Sequence, residues 1–145
     1  VSDRGLAIDA WEALFRAQVS IMRTLNAEFP DDQISFNEYD VLFNLSSRPE
    51  RALRIRDLNK HLLLTQPSIS RLVDRLTARG LVVKLSDPTD ARGIIVKMTD
   101  RGYDVYRRVA SAHGASIADR VGTRISAEEM HTLIAICSKL KDEAR

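Results

Sequence analysis

The 145 residues suit one compact domain or two small subdomains sharing a core, and a hydrophobic fraction of 44% excludes a disordered chain. With one cysteine, Cys137, there is no intramolecular disulfide; no apolar run approaches the ~18 residues of a membrane span, and the opening VSDRGLAIDAWEALF lacks the marks of a signal peptide, so a cytoplasmic protein away from membranes is expected. The net charge of +2 conceals an asymmetry: residues 51–101 carry eleven Lys or Arg against five Asp, the remainder eleven against fifteen Asp or Glu.

Trp11, Phe15, Gln18, Met22, Leu25 and Phe29 step by 4, 3, 4, 3 and 4, one face of a long first helix that Pro30 ends. A second helix opens on a capping box, Ser35 to Glu38, and breaks at residues 46–49. A short extended piece around residues 53–55 leads into a third helix, from Arg56 to about Leu62. Thr65 is the expected N-cap of a fourth helix running from Gln66 to Arg79, with Pro67 in its first turn and Gly80 at its end. Ile69, Leu72, Val73 and Leu76 form its buried side, while Ser68, Arg71, Arg75 and Arg79 fall on another.

Residues 81–85 and 94–98 have the β-branched content of two strands, and residues 86–93 between them read as a long, charged loop. A long helix follows, from a Thr99 cap to about Val121, and a last one starts at a second capping box, Ser126 to Glu129. The expected fold is mostly α with a small β-wing: a winged helix-turn-helix lobe at residues 35–98, and a helical dimerisation region at residues 1–34 and 99–145. The apolar stripes on the first, fifth and last helices carry the dimer expectation, because a chain this short has too little core to cover them and monomers avoid large exposed apolar patches.

The basic middle suits a nucleic-acid-binding segment, and on charge alone equally suits an unevenly charged solvated surface. The element order decides for double-stranded DNA, since the second helix of such a turn enters the major groove. Gln66 and Ser68 have the chemistry to bond base edges or phosphate, and Arg71 and Arg75 to pair bidentately with guanine or phosphate. Arg92 near the loop tip suits a narrow groove, with Asp90 two residues away to orient it by an ion pair. Lys60 and Arg56 are candidate phosphate contacts, Asp74 an intramolecular ion-pair partner, and Arg79 a structural residue or a phosphate neighbour. Competing readings are an activator or effector-independent DNA binder and, remotely, an enzyme. Against the last, no Gly-x-Ser-x-Gly or phosphate-binding glycine loop is present. His61, His113 and His131 are scattered, so no metal site is expected. Cys137 on an apolar helical face reads as an inert core residue.

Residues 51–102 resemble the DNA-binding lobe of the MarR family of bacterial regulators. The resemblance is carried by Ser-Ile-Ser-Arg-Leu-Val-Asp-Arg-Leu at 68–76, the Gly80-Leu81-Val82 exit, the wing Asp90-Ala91-Arg92-Gly93, and Met98-Thr99 with Gly102. It implies an obligate homodimer built from the first and last two helices, reading a palindrome, with most members repressing until a small molecule binds. By position it suggests Ser68, Ser70 and Arg71 as recognition-helix contacts and Arg92 as the wing contact, whereas Gln66 and Pro67 stand where the family varies. It implies no cofactor and suggests an aromatic or phenolic effector, for which Trp11 and Asp40 have suitable chemistry beside an arginine. The alternative for these two is a core tryptophan and a surface charge.

Overall fold

The computed structural model describes residues 3–62 and 66–141, without the side chains of Gln66 and Pro67. Among these, residues 3–29 with 113–141 form one compact unit and residues 30–112 the other, so the division falls inside a helix. No helix among the described residues is long and apolar enough to cross a membrane.

In the first unit, α1 (Arg4–Glu28) starts at Asp3, whose Oδ1 accepts from the amides of Gly5 at 2.9 Å and Leu6 at 3.2 Å. Its apolar stripe stays mostly uncovered within the chain: Leu25 is its buried residue, and Trp11 is 58% exposed. α6 (Ala127–Leu140) carries the expected capping box, Ser126 N–H to Glu129 at 2.9 Å and Glu129 N–H to Ser126 at 3.1 Å, yet it buries none of its residues. α5 (Asp100–Ile117) does not run as an α-helix to Val121; residues Ala118–Gly122 form a π-helical turn instead, where Arg120 pairs with Glu28 of α1. The hydrogen bond from Arg120 holds the Glu28 carboxyl below its usual range.

His113 is buried in this unit, with its ring edge-on to Phe29 at 5.3 Å between centroids. Burial disfavours the imidazolium and pushes the pKa down from 6.5. The unfolded chain therefore binds a proton that the folded one resists, and stability falls as pH drops below about 6.5. The loss of stability between pH 7.5 and 5.5, measured by urea unfolding, is expected to be smaller in His113→Phe than in the parent; equal losses would show that His113 has no part in it.

The second unit is built around fully buried Leu42, Leu45, Leu58, Ile69, Leu76 and Leu81, each contributing about 1.5–3 kcal/mol by burial. α2 (Phe36–Ser46) is capped as its sequence predicts, Ser35 N–H to Glu38 at 2.9 Å and Glu38 N–H to Ser35 at 3.1 Å. A 3-10 turn at Pro49–Arg51 holds Glu50 and Arg51 at φ 56° and 53°, left-handed values costing about 1–2 kcal/mol per non-glycine residue. The Arg51 guanidinium lies 3.4 Å above the Tyr103 ring centroid, a stacking contact that favours this conformation. β1 (Ala52–Arg54) and α3 (Ile55–His61) follow, then α4 (Gln66–Ala78). The expected N-cap of α4, Thr65, lies outside the described residues.

Gly80, at φ 73°, ends α4 in the left-handed conformation glycine adopts without cost. The expected long loop at residues 86–93 is corrected by the structure. β2 (Val82–Asp87) and β3 (Asp90–Met98) extend into it, leaving Pro88 and Thr89 as the turn. β1 adds a third antiparallel strand, in the order β1-β3-β2, with Leu53 opposite Val96. Val82, Val96 and Met98 bury one face of the sheet. Thr99 then caps α5: its hydroxyl oxygen accepts from the Gly102 amide at 3.0 Å, and its O–H donates to the Gly80 carbonyl at 2.7 Å.

Candidate nucleic-acid interface

α4 buries Ile69, Leu72, Val73 and Leu76 and turns Arg71, Asp74 and Arg75 outward. The 3.6-residue period makes these two faces distinct, so the apolar stripe alone fixes which side chains meet solvent. Arg71 is exposed, its Nη2 3.4 Å from the Ser68 hydroxyl one turn earlier. Ser68 and Ser70 are half-buried. The last turn of α4 is tied down by Arg79, which donates to the Gln33 carbonyl and lies 3.5 Å from the Glu38 carboxylate. Arg79 thus has the structural role expected of it.

The wing owes its shape to an irregularity. Ser86 pairs with Ile94 and its neighbour Asp87 with Asp90, so residues 91–93 have no partner on β2 and bulge out, carrying Arg92. Asp87, 5% exposed, closes the turn: its Oδ1 accepts from the Thr89 amide at 2.9 Å and the Thr89 hydroxyl at 2.7 Å. Those bonds, with the nearby Arg54 charge, hold its carboxyl below the usual range. Arg54 of β1 reaches the same group, Nε to Asp87 Oδ2 at 2.7 Å and Nη2 to Thr89 Oγ1 at 2.8 Å. A cleft of about 350 Å³ opens between Ser70 of α4 and the wing, lined by Arg54, Arg56, Asp90 and Arg92 among others.

The expected ion pair between Asp90 and Arg92 is not formed. Asp90 Oδ1 accepts from the Arg92 amide at 3.0 Å, and its Oδ2 lies 4.0 Å from Arg56 Nη1. A side chain two residues along a bulge is well placed for the backbone N–H, which satisfies the carboxylate locally and leaves the guanidinium to solvent. Asp74 does form an ion pair, with Lys84 of β2. Lys60 pairs with Asp57 at 3.5 Å on α3. Among the described residues, then, Arg54, Arg56, Lys60, Arg79 and Lys84 have carboxylate partners, while Arg71, Arg75 and Arg92 have none. Arg51, Lys97 and Arg101 of the basic segment also lack a carboxylate partner among the described residues, but the cations left available on the outer face of α4 and the wing bulge are Arg71, Arg75 and Arg92.

A MarR family model matches residues 32–93, from the turn ahead of α2 through the wing bulge. A MarR family transcriptional regulator from Streptomyces coelicolor, solved in complex with DNA, is 27% identical and superposes with a TM-score of 0.80, covering 97% of this chain and 88% of that one. The chain carries a lobe, residues 32–93, that matches the MarR family. It is a DNA-binding transcriptional regulator with a winged helix-turn-helix. The MarR fold extends over the whole chain: a variant of E. coli MarR complexed with operator DNA matches at 23% identity and a TM-score of 0.76, covering 97% of this chain and 100% of that one. PcaV from Streptomyces coelicolor, complexed with its natural ligand, matches at 24% identity and 0.74, covering 100% of both. Comparison with curated proteins gives no match.

Of the MarR-type positions singled out from the sequence, Ser68, Ser70, Arg71 and Arg75 share α4, Asp90 and Arg92 share the wing, and Lys60 stands on α3. Ser70, Asp90 and Arg92 line one cleft. Gln66 and Pro67 open α4. Arg54 and Asp87 were missed by sequence reasoning; the only signal was Asp87-Pro88-Thr89, a turn tripeptide whose aspartate can bond its own backbone two residues on. Trp11 and Asp40 belong to different units. Asp40 is half-buried, and burial raises its pKa. Its neighbour Tyr39 is pushed up to about 12 by burial and by Tyr106, stacked 5.6 Å away. Neither Trp11 nor Cys137 is core within the chain: both line an apolar groove between α1 and α6, and Cys137 is exposed.

Proposed function

We propose that this regulator is a ligand-responsive repressor acting in the cytoplasm, binding a palindromic operator as a homodimer. The observation that carries the DNA reading is the segregation of charge: on α4 and the wing, the arginines without carboxylate partners among the described residues are Arg71, Arg75 and Arg92. Arg71 and Arg75 are the major-groove contacts of this proposal, with Gln66, Pro67, Ser68 and Ser70 beside them at the start of the helix. Arg92 is its minor-groove contact, Asp90 holds the Arg92 backbone, and Lys60 supplies phosphate contact from α3. The dimer is supported by the uncovered faces of α1 and α6, and a two-fold would place two recognition helices about 34 Å apart, one DNA turn.

The effector of this proposal is a small aromatic or phenolic anion. Two structural neighbours support it: PcaV is complexed with its natural ligand, which supports an effector of some kind, and DNA binding by BpsR from Bordetella bronchiseptica is regulated by 6-hydroxynicotinic acid, which supports its chemistry. Trp11 and Asp40 are the residues of this chain with chemistry suited to such an anion. A panel of phenolic and hydroxynicotinic acids should quench Trp11 fluorescence and release bound DNA together; release without a Trp11 response would reassign the effector site.

The test of the whole is selection of genomic fragments by the purified protein, followed by sequencing. A palindrome with half-sites about one helical turn apart is expected. On it, Arg71→Ala should cost about 1–3 kcal/mol, roughly 5- to 150-fold, and relax base preference at one position of each half-site. Unchanged affinity and base preference would remove Arg71 from the interface.

A further inference from the structure

We infer that Arg54, on β1, is a positioning residue for DNA recognition: its guanidinium fork grips Asp87 and Thr89, fixing the wing turn and the bulge that presents Arg92. The inference rests on the reading of Arg92 as a DNA contact and adds how that contact is held in place. Three unpaired residues, 91–93, leave the ladder just where the recognition side chain sits, so strand pairing alone does not set its direction. What fixes the turn is Asp87: its Oδ1 accepts from Thr89, and its Oδ2, which accepts no hydrogen bond among the described residues, is ion-paired with Arg54 Nε at 2.7 Å. A second Arg54 nitrogen reaches Thr89 Oγ1 at 2.8 Å, so one planar group spans two points of the turn, which an ammonium cannot reproduce. Asp87 is 5% exposed, which protects the pair from the salt screening that weakens surface ion pairs. The strand that supplies Arg54 is held to β3 through Ala52, Leu53 and Arg54 themselves, so the grip connects the wing tip to the sheet.

A double-mutant cycle on the whole protein separates this role from direct phosphate contact. Arg54→Lys, Arg92→Ala and the double variant would be measured against the duplex most enriched in genomic selection and a scrambled duplex of equal length, across a salt series. Arg54→Lys keeps the charge and loses the fork. It is expected to weaken binding to the enriched duplex about ten-fold, and to cost nothing further once Arg92 is alanine. Thr89→Val, which removes one of the two anchor points, should show the same dependence on Arg92 and guards against a folding defect in the first variant. Full affinity in Arg54→Lys, or losses that add to those of Arg92→Ala, would overturn the inference and make Arg54 at most an independent phosphate contact. A silent Arg92→Ala would instead overturn the underlying reading, a result distinguishable because Arg54→Lys would then have nothing to act through.

Discussion

Gly102→Ala is expected to destabilise the protein by about 2–3 kcal/mol, whereas Gly114→Ala, on the same helix, should stabilise it by about 0.5–1 kcal/mol. Both positions lie in α5, and propensity alone predicts the same gain at each. The surroundings differ. A Cβ on Gly102 would collide with the Leu81 carbonyl oxygen, come within 2.9 Å of its carbon and meet Met98 Cγ at 3.1 Å. The obstacle is backbone, and that backbone is itself fixed: Leu81 O accepts from the Thr99 amide at 3.0 Å, and Thr99 caps the helix. Relief would require the start of α5 to move off the chain leaving α4, breaking both bonds. A Cβ on Gly114 would meet nothing within 4 Å beyond its own stretch of helix among the described residues. For a chain of this length each kcal/mol moves the thermal midpoint by roughly 2–4 °C. Thermal unfolding of the two variants should therefore shift in opposite directions, and a shift of the same sign in both would refute the close-approach argument.

The elements most legible in the sequence were those determined by local chemistry. Both capping boxes formed as written, because Ser35 and Glu38, or Ser126 and Glu129, need only each other. The two faces of α4 followed from the spacing of Ile69, Leu72, Val73 and Leu76 against Arg71 and Arg75. The wing tip was not legible, because residues 86–93 have turn-forming composition and nothing local says that Asp87 pairs with Asp90 while 91–93 are skipped. That register depends on Arg54, which is more than thirty positions away in sequence. Asp90 was assigned the wrong partner for the same reason: proximity to Arg92 suggested an ion pair, but the backbone amide of Arg92 is the nearer donor, and Arg56 comes from another element. An apolar helical period makes Cys137 read as core and leaves Trp11 between core and effector contact, because it says that a face will be covered and not by what.

Ile136→Asp is expected to turn a dimer into a monomer, read by sedimentation, and to weaken binding to a two-half-site duplex by at least about 100-fold. In the chain itself Ile136 is 47% exposed, alongside Leu133 at 43% and Leu140 at 64%, and with Trp11 and Leu14 it borders a groove of about 520 Å³. A carboxylate there costs the isolated chain little, since it remains in water. Across a two-fold interface it would be buried and unpaired, at a cost of several kcal/mol, and symmetry would impose that cost twice. The two half-sites would then have to be occupied independently. Binding to a single half-site duplex should survive, because Arg71, Arg75 and Arg92 belong to the other unit. This pattern separates loss of pairing from loss of folding, which would abolish binding to both duplexes. If Ile136→Asp sediments like the parent and keeps full affinity, the α1–α6 groove is not the dimer interface, and its exposed apolar residues require a different partner.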